Sequence, residues 1–139
     1  MSNKKTFNDA PLKGNLLPPK ICNICESNKI TLETNDVIYN GVQYGNYPFI
    51  YLCNDCRSYV GIHPNSNSPL GTLANNEMRQ ARKRVKFKFI EWYMSKGFSR
   101  NKAYSILAKE LNIPKEECHF GWFDVKKCND AEKIILGFL

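Results

Sequence analysis

Four cysteines occur in two pairs of the form C-x2-C, a pattern typical of metal sites. Cys22 and Cys25 form the first pair and Cys53 and Cys56 the second, with residues 26–52 between them. Two intervening residues let both sulfurs of a pair turn toward one point, and a hairpin over residues 26–52 can join the pairs. Four thiolates close a tetrahedral shell, so the sequence predicts one structural zinc ion. Iron in the same shell, disulfide exchange and chance pairing are the alternatives.

Two further cysteines, Cys118 and Cys128, lie near His119, and His63 is the other histidine of the chain. These four residues are candidates for a second metal site. The side chains of adjacent residues such as Cys118 and His119 diverge, which argues against one shared ion. The sequence therefore favours buried cysteines that act as small apolar residues, with His119 hydrogen-bonded to backbone or to a ligand.

Composition indicates a folded protein with a basic surface. The chain has 139 residues, 42% hydrophobic and 12% aromatic, and a formal charge of +7. Ionisation of four thiols and binding of Zn²⁺ would lower that charge to about +5. A basic surface favours polyanions, although a lysine-rich solvated surface is the simpler interpretation. The chain has no apolar run of membrane-spanning or signal-peptide length, so we expect it in the reducing cytoplasm, where C-x2-C pairs bind metals.

The change in hydrophobic period along the chain predicts an α+β protein. Residues around the C-x2-C pairs have the alternation and turn signals of short strands, whereas the C-terminal half has helical periodicity. We therefore expect a small antiparallel zinc ribbon packed on a module of three or four helices. The predicted segments are a flexible tail (1–19), the zinc ribbon (20–63), a connecting loop (64–71) and the helical module (72–139).

Local signals place the individual elements. Strands are expected at 30–32, 37–39, 49–52 and 59–62. Thr72 and Ser99 are predicted N-caps of the first two helices, which would run to about Lys96 and Asn112, and Asn129 is the predicted cap of the last helix. Pro114 suits the first turn of a short helical segment between them. The first helix is predicted to bury one apolar stripe: Met78, Ala81, Val85, Phe89 and Trp92.

The first helix also carries the densest positive charge of the chain. Such a helix could lie along a phosphate backbone, with each neutralised phosphate adding salt-dependent affinity. Phe87 falls opposite the apolar stripe, where it could stack on a base or pack on the ribbon. A solvated face of a core helix and an acidic protein partner are the alternatives. The candidate nucleic-acid-binding residues are Arg79, Arg82, Lys83, Arg84, Lys86 and Lys88.

The link KGFS between the first two helices also suggests a helix-turn-helix motif. The second helix would then be a recognition helix, with Arg100, Asn101 and Lys102 at its N-terminal end. The usual short turn of that motif is not clearly present in the sequence. Helical hairpins are common, so the motif is the less favoured interpretation.

The loop at residues 62–72 is a candidate anion or ligand site. It contains His63, Ser66 and Thr72 and precedes a predicted helix N-terminus, which offers free N–H groups to an anion, and His119 could contribute from elsewhere in the chain. The simpler interpretation is a turn whose polar groups satisfy the backbone. The sequence has no HExxH, P-loop or paired-carboxylate motif, so it favours a non-catalytic protein without excluding an enzyme.

Two blocks resemble a phage and prophage family of zinc-finger-containing domains of unknown function. They are YVGIHPNSNSPLGTLANNEMRQAR (59–82) and AYSILAKELNIPKEECHFGWFDVKKC (103–128), with the elements HP…PLGTLAN and CHxGxFD…C. The paired C-x2-C motifs precede them in the same order. The resemblance implies a phage-type origin and zinc binding at the four N-terminal cysteines, but no activity. Many members of that family have His where this chain has Lys86, so any role of that His is absent or altered here.

Together these patterns predict a phage-type zinc-ribbon protein of the bacterial cytoplasm that binds DNA or RNA without catalysis. A different hypothesis is a protein-interaction module that docks on a host enzyme or anti-phage defence complex and modulates it. A nuclease or nucleotide-processing enzyme built around His63 and His119 is the third. No membrane association is expected.

Overall fold

The computed structural model describes residues 6–139 and divides into two compact units after Asn75. The N-terminal unit, called the ribbon unit, contains a small antiparallel sheet, and the C-terminal unit, called the helical unit, contains three α-helices. This confirms the α+β prediction. None of the helices in the described part of the chain is long and apolar enough to cross a membrane.

The sheet of the ribbon unit is a three-stranded meander in the order β1-β2-β3. Ile30 pairs with Cys53 and Thr34 with Phe49, so the start of β1 lies beside the second cysteine pair. The predicted strand at residues 37–39 was wrong, because a 3-10 turn over Asn35–Val37 ends the extended chain after β1. The strands are β1 (Ile30–Thr34), β2 (Phe49–Cys53) and β3 (Tyr59–Gly61).

The buried core of the ribbon unit is small and includes two of the cysteines. Partly buried aromatic side chains, among them Tyr47 and Phe49, pack around it. A core of this size contributes little stability, and small domains commonly need a metal or a disulfide in addition. The buried members are Cys22, Tyr51, Cys53, Val60, Ile62 and Leu73.

The N-terminal segment was predicted to be a flexible tail over residues 1–19, of which 1–5 lie outside the described residues. From residue 6 to 19 it contains no helix or strand. Phe7 nevertheless packs edge-on against Phe49, with ring centroids 5.3 Å apart, and the Leu12 N–H donates to Ser68 Oγ at 2.8 Å. These contacts belong to residues 7–12, and the mobility of the segment stays a prediction.

The helical unit consists of three α-helices with two short 3-10 turns between the second and the third. The first helix begins at Asn76, so the prediction that Thr72 caps it was wrong. Ser99 does cap the second helix, through a hydrogen bond from the Lys102 N–H. The last helix is capped by Asp124 rather than by Asn129, which lies inside it. The helices are α1 (Asn76–Lys96), α2 (Arg100–Leu111) and α3 (Val125–Phe138).

The core of the helical unit is larger and aromatic. All five residues of the predicted stripe on α1 are buried. Phe89 is 1% exposed, and its ring lies 4.6 Å from that of Tyr104 and 5.0 Å from that of Phe120, centroid to centroid. Trp92 stacks on Phe138 with centroids 5.1 Å apart. Such packing supplies the apolar burial that the ribbon unit lacks.

Candidate metal centre

The four N-terminal cysteines converge on one point of the ribbon unit. Their sulfurs all lie within 4.8 Å of one another. Cys22 Sγ is 3.7 Å from Cys56 Sγ, and Cys25 Sγ is 3.6 Å from Cys53 Sγ. A tetrahedral shell with zinc–sulfur bonds of about 2.3 Å has sulfur–sulfur edges of about 3.8 Å, whereas a disulfide bond is about 2.05 Å long. The spacing therefore fits a shared metal ion and excludes disulfides.

Each cysteine pair lies in a backbone turn of the same design. In the first turn the Cys22 N–H donates to Ser27 O at 2.7 Å, and the Glu26 N–H donates to Cys22 O at 2.9 Å. In the second, the Cys53 N–H donates to Ser58 O and the Arg57 N–H to Cys53 O, both at 2.9 Å. The two turns thus present their sulfurs in equivalent ways, although they lie far apart in sequence.

The residue after each second cysteine has a left-handed backbone. Glu26 and Arg57 both have φ of 66°. This conformation is costly for residues other than glycine, Asn and Asp, and it persists where surrounding interactions require it. Here it closes the turn so that both sulfurs of a pair point the same way. Recurrence of the same strained angle in both turns indicates a common geometric requirement.

Hydrogen bonds tie the second turn to the chain that follows the first. The Asn54 N–H donates to Lys29 O at 2.9 Å, and Asn54 Nδ2 donates to Thr31 Oγ1 at 2.8 Å. The Asp55 carboxylate accepts from Ser27 Oγ and pairs with Lys29 at 3.7 Å. These contacts hold the two cysteine pairs together through groups other than the sulfurs. They are the kind of outer shell that orients metal ligands.

The donor set fits one structural zinc ion. Cys22 and Cys53 are buried, whereas Cys25 and Cys56 lie at the surface. Without a metal the four thiols differ: burial raises the pKa of Cys22, whereas, despite burial, hydrogen bonding to Ser58 and to the neighbouring cysteines brings the pKa of Cys56 to about 7. Zinc binding requires all four as thiolates, so it is accompanied by proton release. Four sulfur ligands leave no open position, so the zinc supplies folding energy and no chemistry.

Cys118 and Cys128 are buried in the core of the helical unit, at 2% and 0% exposure. Burial raises the pKa of each thiol to about 11, so both stay neutral. This confirms the prediction that they are small apolar core residues. Among residues 6–139, the group that could hold a metal is the N-terminal set of four cysteines.

Two of the candidate nucleic-acid-binding residues form contacts within the helical unit. Arg82 is half-buried, and its Nε donates to Phe123 O at 2.9 Å. Desolvation by burial lowers the pKa of Arg82. Arg84 Nε pairs with Glu132 at 2.8 Å, and a second guanidinium nitrogen donates to Asn129 Oδ1 at 3.2 Å. These arginines hold α1 to the segment around α3.

The four other candidates are distributed over the outer faces of α1. Lys88 pairs with Glu91 at 3.8 Å, and Arg79 is half-buried. Lys83 and Lys86 are exposed, and neither takes part in an ion pair within residues 6–139. They lie three residues apart and so share one face of the helix.

An apolar stripe runs beside these lysines. Phe87 and Met94 are each 69% exposed and Ile90 is 36% exposed. Their spacing of three and four residues places them on one face of α1, opposite the buried stripe. The position of Phe87 agrees with the sequence prediction. Ile90 and Met94 were not among the predicted site residues, although the same helical projection would have identified them.

The loop at residues 62–72 uses its polar groups to hold its own turn. Ser66 is 1% exposed, donates to His63 O at 2.9 Å and accepts from the Ser68 N–H at 3.2 Å. Thr72 lies before the start of α1, so the loop does not end at a helix N-terminus. These contacts support the simpler interpretation of the loop as a turn. His63 belongs to the ribbon unit and His119 to the helical unit.

His119 lies instead at a cleft of the helical unit. The cleft has a volume of about 480 Å³ and combines positively charged, aromatic and amide side chains. Two of its members, Tyr104 and Lys115, were not predicted as site residues. Lys115 follows Pro114, where the short turn was expected. That it lies close to the start of α2 could not be predicted, because the two segments are separated in sequence. The lining residues are Arg100, Asn101, Tyr104, Lys115, Cys118 and His119.

Comparison with known proteins identifies the family. Residues 18–137 match a family described as a zinc-finger-containing domain. The match includes both cysteine pairs and nearly all of the helical unit. Comparison with curated proteins and with solved structures found no match. With most of its length matched and four sulfurs converging on one point, the chain belongs to the family of zinc-finger-containing domains.

Proposed function

We propose that this zinc-finger-containing protein binds nucleic acid without catalysis, and that it does so in the cytoplasm of a phage-infected bacterium. The observation that carries the proposal is the face of α1 formed by Lys83, Lys86 and Phe87, called the basic face. Its two lysines are exposed and have no ion-pair partner within residues 6–139. The phage setting rests on the resemblance of the sequence motifs.

The lysines of the basic face are suited to phosphate contact. Exposed lysines at a spacing of three residues project from one side of a helix, at a separation that neighbouring phosphates can span. Their charges are not neutralised by carboxylates, so contact with a polyanion would release counterions and increase affinity. This mode of binding is independent of sequence and falls steeply with salt.

Phe87 adds a second means of contact. Its ring is 69% exposed and shares a face of α1 with exposed Met94, so it belongs to an apolar patch and is not an isolated surface residue. An exposed aromatic ring beside lysines can stack on a base, and such stacking contributes about 1–3 kcal/mol per base. Single-stranded nucleic acid, with unstacked bases, is therefore the expected ligand.

The arginines of α1 have a different part in the proposal. Arg82 and Arg84 were candidates for direct contact, but their guanidinium groups bind Phe123 O and Glu132. We propose that they position the helix and that Lys83 and Lys86, with smaller contributions from Arg79 and Lys88, provide the phosphate contacts.

The test is fluorescence anisotropy with labelled single-stranded DNA and RNA at several salt concentrations. The double variant Lys83→Gln/Lys86→Gln should bind about tenfold or more weakly at low salt and should show a salt slope reduced by about one per lysine. Lys109→Gln/Lys133→Gln, which removes two exposed lysines from α2 and α3, is the matched control and should bind like the wild type.

Two results would overturn the proposal. One is the absence of binding to either nucleic acid in low salt. The other is an equal loss of affinity in both double variants, since this would show a general effect of net charge rather than a site on α1.

A second candidate function is protein interaction, favoured by the exposed stripe of Phe87, Ile90 and Met94. Contiguous apolar side chains on a protein surface are typical of interaction sites. The stripe could dock on a host enzyme or an anti-phage defence complex and modulate it. A partner captured from bacterial lysate after nuclease treatment, and lost with Phe87→Ser/Met94→Ser, would support this function. A capture that nuclease treatment abolishes would count against it.

A further inference from the structure

The cleft around His119 carries a second collection of ligand-binding groups, separate from the zinc centre and from the basic face. Its volume of about 480 Å³ lies within the range of roughly 300–1,000 Å³ found for small-molecule sites. All six lining residues belong to the helical unit, from α2 and from the chain that leads to α3. It thus depends on one compact unit alone.

Two positively charged side chains line the cleft without a neutralising carboxylate. Neither Arg100 nor Lys115 takes part in an ion pair within the described part of the chain, residues 6–139. No Asp or Glu of that part lines the cleft. Hydrogen bonding to Tyr104 raises the pKa of Arg100, whose guanidinium is charged at neutral pH in any case. The charge of the cleft therefore favours an anion.

Asn101 adds hydrogen-bonding capacity beside these charges. Its Oδ1 accepts from Lys115 Nζ at 2.6 Å. This bond fixes the lysine across the cleft, and it leaves the amide nitrogen of Asn101 as a further donor. Cys118 is buried and neutral, because burial raises its pKa to about 11, so it does not repel an anion.

The remaining walls are aromatic and are held in place by neighbouring rings. The Tyr104 ring lies 4.6 Å from that of Phe89 and 5.9 Å from that of Phe120. His119 packs against Trp122 with centroids 4.4 Å apart and an angle of 38° between the rings. The Arg100 guanidinium also lies over the Tyr104 ring, 5.7 Å from its centroid, so a planar ligand would share this aromatic wall with Arg100.

Taken together, these groups discriminate between ligand classes. A divalent cation would find no carboxylate ligand, and a neutral sugar would make no use of two positive charges. Inorganic phosphate would pair with the charges but would leave the aromatic walls uncovered. A ligand with both a phosphate and a planar ring uses all of the groups.

We propose that the cleft binds a nucleotide, with its phosphate on Arg100 and Lys115 and its base against Tyr104 and His119. The ligand is either a free mononucleotide or the 5′-phosphorylated terminal nucleotide of a strand, since both present the same chemistry. The site shares no residue with the basic face, so it does not depend on nucleic-acid binding by α1.

The experiment follows the fluorescence of the protein, since Trp122 packs against His119. The zinc-loaded protein is titrated with each of the four ribonucleoside monophosphates, with inorganic phosphate, with adenosine, and with tetranucleotides that carry either a 5′-phosphate or a 5′-hydroxyl. At least one monophosphate or the 5′-phosphorylated tetranucleotide should bind at least about tenfold more tightly than inorganic phosphate or adenosine.

The variant Lys115→Gln should weaken this binding about tenfold, whereas Lys109→Gln, on another part of the unit, should not change it. His119→Ala tests the aromatic wall and should weaken nucleotide binding more than phosphate binding. Since His119→Ala also alters the surroundings of Trp122, its affinities are measured by calorimetry. Both Lys115 and His119 are exposed, so circular dichroism should show an unchanged fold.

The order of affinities then assigns the source of the ligand. Tighter binding of the 5′-phosphorylated strand indicates a strand end, and tighter binding of a monophosphate indicates a free nucleotide. The proposal is overturned if neither binds at millimolar concentration, if inorganic phosphate binds equally well, or if Lys115→Gln has no effect. The variant Lys83→Gln/Lys86→Gln should bind nucleotide in the cleft like the wild type. A failure of the proposed nucleic-acid binding by α1 can therefore be distinguished from a failure of nucleotide binding in the cleft.

Discussion

The ribbon unit and the helical unit bury cysteines for opposite reasons. In the ribbon unit, Cys22 and Cys53 are at once part of a small core and ligands of a metal centre. In the helical unit, Cys118 and Cys128 are buried among aromatic and aliphatic side chains, and burial keeps their thiols neutral. The comparison shows that the sulfur's neighbours, rather than its burial, decide whether a cysteine binds metal or packs as an apolar residue.

The same contrast applies to stability. The ribbon unit has a three-stranded sheet, a small core and two strained turns, so we expect its folded state to depend on the energy of metal binding. The helical unit has an aromatic core around Phe89 and Trp92, and we expect it to fold without a metal. Each unit is therefore expected to respond to a different perturbation.

The largest expected effect is that of zinc removal on the ribbon unit. Structural zinc contributes about 10–16 kcal/mol in small zinc modules. A strong chelator, or Cys53→Ser, should unfold the ribbon unit while the helical unit keeps its structure. In a ¹H–¹⁵N NMR spectrum, amide signals from residues 22–62 should collapse to the unfolded region, and those from α1 and α3 should stay dispersed. Cys128→Ser should retain one zinc per chain.

The expected difference in metal dependence would be contradicted if the amide signals of the ribbon unit kept their dispersion after complete zinc removal. Unfolding of the helical unit together with the ribbon unit would contradict it as well.

A smaller effect is expected from a cavity in the helical unit. Phe89→Ala removes a ring that is 1% exposed and should lower the free energy of unfolding of this unit by about 3–5 kcal/mol. Urea denaturation followed by far-UV circular dichroism measures the loss. Zinc content should stay at one ion per chain.

Phe87→Ala is the matched control, because it makes the same substitution on the same helix at a side chain that is 69% exposed. It should change the free energy of unfolding by no more than about 0.5 kcal/mol. Equal destabilisation by both substitutions would contradict the assignment of the two faces of α1.

The smallest expected effect concerns the strained turn after the first cysteine pair. Glu26 has a left-handed backbone with φ of 66°. Glu26 already bears the cost of this conformation, about 1–2 kcal/mol, and a β-branched residue adopts it less readily still. Glu26→Val should therefore weaken zinc binding severalfold, whereas glycine adopts the conformation freely. Competition with a chromophoric chelator measures the affinity. Glu26→Gly should bind zinc at least as tightly as the wild type, and equal losses in both variants would contradict this account.

Predictions that rest on local signals were the most accurate. The helical period of α1 correctly identified its five buried residues, since a helix repeats its faces over a few residues whatever its surroundings. Ser99 was correctly predicted as a cap for the same reason. The predicted strand at 37–39 was wrong because a short apolar run does not by itself distinguish a strand from a turn. Here a 3-10 turn follows Thr34 and ends the extended chain. Asp124 was missed as a cap because Asn129 carries an equally suitable side chain.

The roles of the charged residues could not be predicted from such local signals. The six candidate basic residues on α1 look alike in sequence, yet Arg82 and Arg84 bind groups more than forty residues away, and Lys83 and Lys86 do not. The cleft likewise joins Arg100 to Lys115 and His119 across the turn that follows α2. Long-range pairing of this kind depends on how helices pack, and helical periodicity carries no information about it.

The four metal-binding cysteines were evident from the sequence alone, because ligand type and the two-residue spacing are properties of adjacent residues and of zinc itself. The change in hydrophobic period likewise indicated that a part with strands is followed by a helical part, although not where one ends and the other begins. Only the tertiary structure decided which basic side chains stay available and which surround a cleft. Those properties arise from contacts between distant segments, whose energies depend on the folded arrangement and not on any local pattern.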